Sequence, residues 1–434
     1  MIDPTGKGLF AILSAGLGLP YDPERLIQSP EEWGRIAEFA QAANVEPQAF
    51  AGAKRLPPKS SLPVEMVARW RNAFASSAVH HDRLIAMTRP VLGNLARAGI
   101  PVALLKGAYL ASVAYPNPGA RPMNDVDLLI RASDLPAVHL ALTSTEWLLA
   151  SDLATNMALD NQASYKHAAT GLSLDLHWSV LGRYTPFRMP DVAIWTSVRP
   201  ALIGMPGVMA LSPEHAILDL CVHPREDGRV TTVQALCDIA GLVTNQTVDW
   251  VRLGTDADAW GMRNYAWLIL TMCKSLLNAP IPDTALESLR ASGTDPISRE
   301  AFLRAWSSLG TPLGEHDTPD TEETHVVDLL AQGATTGRLA AAMGAAFPPI
   351  MVVAKQFQLG KAPWWRAIWF YPLRWWGLVS RYSGKIAGAW RTGATAEGGL
   401  REQAAGVELF RWLDAGAAAN RPPSRRERSD TAPD

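Results

Sequence analysis

The chain of 434 residues has little of what marks disulfide-rich or membrane-spanning proteins. Its three cysteines lie in apolar helical contexts without a CxxC or cysteine–histidine spacing, so we predict buried thiols in a reducing compartment. No run of about 20 apolar residues occurs, and no transmembrane helix is expected. An apolar run at residues 8–19 lacks a basic start and a small-residue cleavage site, and it predicts a first helix. We therefore expect a cytoplasmic protein.

Excess charge is also absent, because the formal net charge is −2 and only 19 % of the residues are charged. This balance argues against a protein that binds polyanions over its whole surface. A hydrophobic content of 48 % provides for a sizeable core, and the length suits two or three domains.

Helical and strand periodicities divide the chain into five parts. They predict an α+β (α/β) protein in which a small mixed β-sheet core is flanked by mostly helical regions. The expected parts are a helical region at 1–75, the core at 76–205, a helical domain at 206–345, a basic tryptophan-rich segment at 346–414 and a disordered tail at 415–434.

The tryptophan-rich segment lacks acidic residues altogether over positions 348–396. It contains seven Lys and Arg residues and six of the sixteen tryptophans of the chain. Such a stretch suits a helical pair packed on the protein, a peripheral membrane or protein contact through residues 355–391, or nucleic acid. These interpretations remain open.

Residues 102–130 contain the strongest local signal. Asp125 and Asp127 begin a predicted strand and point to the same face, while Val126 and Leu128 point to the other. Two adjacent carboxylates repel unless a cation lies between them. The pair therefore predicts either a site for a hard divalent ion such as Mg²⁺ or a solvated strand end.

Two further features suit the same site. Gly107 separates a predicted strand from a predicted helix, where backbone N–H groups bind anions, and Lys106 adds a cation beside it. A predicted hairpin carries Asp175 and His177 on one face of its second strand. Asp175 is thus a candidate third carboxylate.

With these motifs assembled, the chain resembles the uncharacterised bacterial nucleotidyltransferase family of the DNA polymerase β-like superfamily. The resemblance covers roughly residues 30–390. Its motifs are LKGA at 105–108, YP at 115–116, RPMNDVDLLI at 121–130 and DLHW at 175–178.

This resemblance implies a metal-dependent transfer reaction. Asp125, Asp127 and Asp175 would bind two Mg²⁺ ions, and a nucleoside monophosphate would pass from an NTP to a hydroxyl with release of pyrophosphate. Asp175 would also help to deprotonate the acceptor hydroxyl. The acceptor, whether a small molecule, a sugar, a peptide or protein, or RNA, stays open.

The resemblance also assigns residues to the nucleotide. Gly107 would open the phosphate-binding helix, and Lys106 and Arg121 are the candidates for binding the triphosphate. His177 would orient Asp175 or touch the substrate.

Two departures from the superfamily pattern favour an alternative. Ala108 stands where a glycine or a serine is usual, and the eighteen positions from Gly107 to Asp125 exceed the usual spacing. The alternative is a non-catalytic binding or scaffold protein on the same fold, acting at a membrane surface in a biosynthetic complex.

Overall fold

The computed structural model describes residues 4–57, 62–150, 153–183, 185–201, 204–227 and 229–290, with scattered positions between 305 and 416. These residues form helices and one mixed sheet, so the predicted α+β class is confirmed. The described helices are α1 (Pro4–Leu17), α2 (Pro30–Ala42), α3 (Glu46–Ala53), α4 (Val64–Arg97), α5 (Lys106–Val113), α6 (Leu135–Thr143), α7 (Leu153–Leu159), α8 (Asp191–Ser197), α9 (Pro213–Val222), α10 (Val233–Asn245), α11 (Trp250–Ala259), α12 (Arg263–Leu277) and α13 (Asp283–Leu289).

The sheet has seven described strands in the order β3-β4-β5-β2-β1-β7-β6. They are β1 (Val102–Leu104), β2 (Asp125–Leu129), β3 (Trp147–Leu149), β4 (Gln162–His167), β5 (Ser173–His177), β6 (Arg199–Pro200) and β7 (Val208–Ala210). Strand β2 is parallel to β5, and β1 is parallel to β7, whereas the other neighbours are antiparallel. The predicted hairpin is β4 and β5. The two acidic strands are thus neighbours at the centre of the sheet.

Helix starts follow from local sequence. Ser29 and Glu32 form a capping box at α2, where each side chain accepts a hydrogen bond from a backbone N–H of the other residue. Ser212 caps α9, and it is the first residue of the Ser-Pro-Glu motif that predicts a helix start. Pro90 lies inside α4, which still runs for 34 residues and packs against β1 and β2.

The helical half of the chain, which begins at α9, packs closely on the loop that follows α5. All ten residues of α9 are buried, and so are ten of the residues of α10. A Cβ atom at Gly241 of α10 would lie 2.1 Å from the Ala114 carbonyl oxygen, so only glycine permits this approach. The contact fixes α10 beside the segment that leads to β2.

Several elements lie beyond the sequence prediction. Strands β3, β6 and β7 have only two or three residues each, which is too short to show an alternating pattern. Strand β7 extends the sheet past residue 205, where the sequence places the end of the core. The sequence also predicts a helix from Trp260 to Leu277, but Trp260 is the C-cap of α11 and α12 begins at Arg263.

Contacts along the chain define two compact units. The first comprises Met1–Ala150, Asn161–Pro312 and Leu413–Asp434, and the second comprises Ser151–Asp160 and Leu313–Trp412. Outside the described residues lie most of positions 298–309, where the sequence also predicts a helix, most of the tryptophan-rich segment with residues 355–391, and residues 417–434 of the predicted tail. None of the described helices is both long and apolar enough to cross a membrane.

Candidate active site

Strands β2 and β5 bring together acidic side chains that are far apart in sequence. Their parallel register places Asp127 beside Asp175. Alternate residues of a strand share a face, so Asp125 and His177 lie on the same face of the sheet as these two carboxylates. One ligand atom each from Asp127, Asp175 and His177 lies within 4.8 Å of the others. Predicted residues from both strands thus meet in one cluster.

A hydrogen bond joins His177 to Asp127 inside this cluster. The His177 Nε2 atom lies 3.0 Å from Asp127 Oδ1, and the two residues are 5 % and 8 % exposed. The sequence suggests Asp175 as the carboxylate that His177 orients, because both residues lie on one strand. The parallel pairing of β2 with β5 also brings Asp127 within reach of His177, and the hydrogen bond forms with Asp127 rather than with Asp175.

The carboxylates of β2 have pKa values that move in opposite directions. Burial, together with the charges of Asp127 and Asp175, raises the pKa of Asp125 to about 6. Burial would also raise the pKa of Asp127, but Lys106 and the hydrogen bond from His177 outweigh it and lower that pKa. Lys106 and His177 therefore stabilise the charge of Asp127 but do not offset burial and repulsion at Asp125.

A divalent cation suits this donor set. Carboxylate oxygens are the ligands that Mg²⁺ prefers, and a cation beside these carboxylates would offset the burial and the repulsion that together raise the pKa of Asp125. The cluster of Asp127, Asp175 and His177 can therefore bind a metal ion.

The predicted phosphate turn lies next to the cluster. The Leu105 N–H donates to the Asp127 carbonyl oxygen at 3.1 Å, which fixes the start of α5 against β2. Lys106 has a φ of 38°, in the left-handed region. A Cβ atom at Gly107 would lie 3.2 Å from Arg121 Nη1 and 3.3 Å from Met123 Cβ, which is tighter than most real Cβ contacts. The first turn of α5 has no side-chain cap.

Arg121 makes a buried double ion pair with Asp238. Its Nε and Nη2 atoms donate to the two carboxylate oxygens of Asp238 at 2.9 and 2.8 Å, and Tyr115 donates to the same carboxylate at 2.6 Å. The edge of the guanidinium that would fork onto a phosphate is therefore bonded to α10. The binding of the triphosphate by Arg121 stays a prediction.

Three polar residues near the site escaped the sequence analysis as site residues. Asp219 on α9 and Glu226 after it act on the pKa of Lys106, and His223 acts on that of Asp127. The His223 Nδ1 atom lies 3.5 Å from Glu226 Oε2, and Glu226 accepts a hydrogen bond from the Gly182 N–H at 2.8 Å. A carboxylate in the apolar run ILDLCV is the one signal in the sequence that could have identified Asp219.

A mixed sheet with clustered carboxylates beside a helix N-terminus is an arrangement that suits transferases of phosphate-containing groups. The model of an uncharacterised nucleotidyltransferase family matches residues 29–278, which is more than half of the chain. The protein belongs to that family. No curated protein and no solved structure gives a significant match.

Proposed function

We propose that this protein transfers a nucleoside monophosphate from an NTP to a hydroxyl acceptor and releases pyrophosphate. The observation that carries the proposal is the cluster of Asp127, Asp175 and His177, in a chain of a nucleotidyltransferase family. In this reaction the acceptor oxygen bonds to the α-phosphorus, and the bond from the α-phosphorus to the pyrophosphate oxygen breaks.

The three carboxylates would hold two Mg²⁺ ions. When bound there, Mg²⁺ supplies positive charge that neutralises the phosphate oxygens and aligns the attacking and leaving groups. His177 holds the Asp127 carboxylate through its hydrogen bond of 3.0 Å, so that this ligand is in place before substrate arrives. Asp175 accepts the proton that leaves the acceptor hydroxyl.

The start of α5 would bind the triphosphate. Its uncapped N–H groups and the absence of a side chain at Gly107 favour an anion at this end of the helix. Lys106 supplies an ammonium beside it, and Arg121 lies next to Gly107 while bonded to Asp238. Arg121 therefore lies beside the turn while its charge is paired with Asp238 of α10.

The test is incubation of the purified protein with Mg²⁺ and each α-labelled NTP, in a cell lysate that supplies acceptors. We expect label to enter an acceptor, with release of pyrophosphate. The variant Asp125→Asn with Asp127→Asn should lose both signals, whereas Glu287→Gln, which changes an exposed acid of α13, should keep them. Undiminished labelling by the double variant would contradict the proposal.

One observation favours a second candidate, a nucleotide-binding or scaffold protein without catalysis. The residue after Gly107 is Ala108, which has no hydroxyl to donate to a phosphate, and its side chain is fully buried in α5. Isothermal titration and the labelling assay together separate the candidates, because a nucleotide-binding protein without catalysis binds NTP but labels no acceptor. The scaffold candidate predicts that neither Mg²⁺ nor any NTP binds at millimolar concentration.

A further inference from the structure

A cavity between the start of α5 and helix α9 contains one potential cation and one potential anion. Lys106 and Asp219 both line it, and Tyr109 and six apolar side chains complete the wall. The cavity lies on the side of Lys106 that faces the helical half of the protein. A site built only from β1, β2 and β5 does not account for a charged residue on α9.

Acids of two parts of the chain, β2 and the region of α9, act on Lys106. Burial acts to lower the pKa of its ammonium, but Asp127, Asp219, Glu226 and Asp125 outweigh burial and raise that pKa. Among the residues that the structure describes, none forms a direct ion pair with this ammonium. The side chain is half-buried and begins from a left-handed backbone conformation that few non-glycine residues adopt. The ammonium is thus attracted by the acids of β2 and by those of the α9 region, and it forms an ion pair with neither group.

Asp219 is the acid that faces Lys106 from the helical half. It is 2 % exposed, and within the described part of the chain its Oδ1 atom has no hydrogen-bond partner. A buried carboxylate with an unsatisfied oxygen lowers the stability of the fold. All ten residues of α9 are buried, and an apolar side chain at position 219 would pack there without this cost. Burial raises the pKa of Asp219, and the Lys106 charge acts in the opposite direction.

We propose that Asp219 is a positioning residue that holds the Lys106 ammonium away from the Asp127 carboxylate. This inference rests on the proposed function, because it concerns the metal site and the phosphate turn of that reaction. Asp127 acts on Lys106 more strongly than any other acid, and Asp219 is the strongest acid that acts on it from the helical half. Without Asp219, little opposes the attraction between Lys106 and Asp127. A direct ion pair between them would occupy an oxygen that the metal needs and would withdraw the ammonium from the nucleotide.

The test is a double-mutant cycle between the two residues, with Mn²⁺ as the probe in isothermal titration. We expect Asp219→Asn to weaken Mn²⁺ binding about tenfold, a loss within the range of coupling between interacting residues. In the Lys106→Met background, the same substitution should change Mn²⁺ affinity little, because no ammonium remains to move onto Asp127. A residue that acts only through its own negative charge would instead cause equal losses in both backgrounds.

Two further variants keep the result interpretable. Glu214→Gln removes another buried acid of α9, one that accepts the Asp249 N–H rather than facing the cavity, and it should leave Mn²⁺ affinity unchanged. Thermal unfolding checks each variant, and Asp219→Leu replaces Asp219→Asn in the cycle if the amide variant does not fold.

The outcomes separate this inference from the proposed function. Equal losses of Mn²⁺ affinity in both backgrounds, or no loss in either, overturn the role of Asp219 and leave the metal site standing. A wild-type chain that binds no Mn²⁺ overturns both.

Discussion

His177 Nε2 lies 3.0 Å from Asp127 Oδ1, so a histidine of one strand holds a carboxylate of the neighbouring strand. The contact depends on the parallel pairing of β2 with β5, which sets Asp127 opposite Asp175. Both groups are buried, and each limits the rotation of the other. An acidic ligand that is held in one orientation loses less conformational freedom when a cation binds.

Replacement of His177 tests this relationship. We expect His177→Ala to weaken Mn²⁺ binding about 10–100-fold, because residues that orient metal ligands have effects of this size. His177→Asn, which keeps a donor, should lose less. Isothermal titration measures the affinities, with His80→Ala on α4 as the control. An affinity of the His177→Ala variant equal to that of the wild type would show that the hydrogen bond does not prepare the site.

The Arg121–Asp238 pair is expected to stabilise the fold. Asp238→Asn leaves a buried guanidinium without its counter-ion, so the free energy of unfolding should fall by about 3–5 kcal/mol. Tyr115→Phe removes only one hydrogen bond to the same carboxylate and should cost about 1.5–3 kcal/mol. Urea unfolding followed by circular dichroism gives both values. Wild-type stability in the Asp238→Asn variant would mean that the pair is not closed in solution.

Helix α9 carries a buried histidine, His215, which predicts a pH dependence of stability. Its Nδ1 atom lies 2.9 Å from Ser197 Oγ, and its Nε2 atom lies 3.0 Å from Asp256 Oδ2. Burial lowers the pKa of His215, although the hydrogen bond and charge of Asp256 oppose this effect. Arg252 also lowers the pKa, and Glu214 acts to raise it.

The sign of the effect follows from proton binding. A lowered pKa means that the unfolded chain binds more protons than the folded chain below about pH 6.5. The stability that the neutral imidazole contributes is therefore present above that pH and is lost as the pH falls through it. The slope from one group is at most about 1.4 kcal/mol per pH unit. Urea midpoints at pH 7.5, 6.5 and 5.5 should decline less in His215→Gln than in the wild type, and parallel declines would refute this assignment.

The local parts of the site are the parts that the sequence predicts well. Strands β2 and β5 are expected because apolar and polar residues alternate along them, and helix α9 because Ser212 and Pro213 mark its start. Such patterns depend only on neighbours in the chain. They place Asp125, Asp127, Asp175 and His177 on strands with the correct faces, and the family match agrees with the resemblance drawn from the same motifs.

The partners of these residues depend on contacts over long distances in sequence. Arg121 meets Asp238 at a separation of 117 residues, and nothing in the local pattern distinguishes that ion pair from a phosphate site. Asp219 lies in an apolar helix, where a single acid has no periodicity to reveal its direction. Only the fold of the chain places it in the same cavity as Lys106.

The central claim is that the carboxylates of β2 and β5 form one divalent-metal site. The most direct measurement is a titration of the wild-type chain with Mn²⁺ and competition by Mg²⁺, beside Asp127→Asn and Asp175→Asn. The account predicts binding by the wild type, displacement by Mg²⁺, and loss of binding in each variant with its thermal unfolding transition retained. Wild-type affinity in either variant, or no binding of Mn²⁺ to the wild type at millimolar concentration, would contradict it.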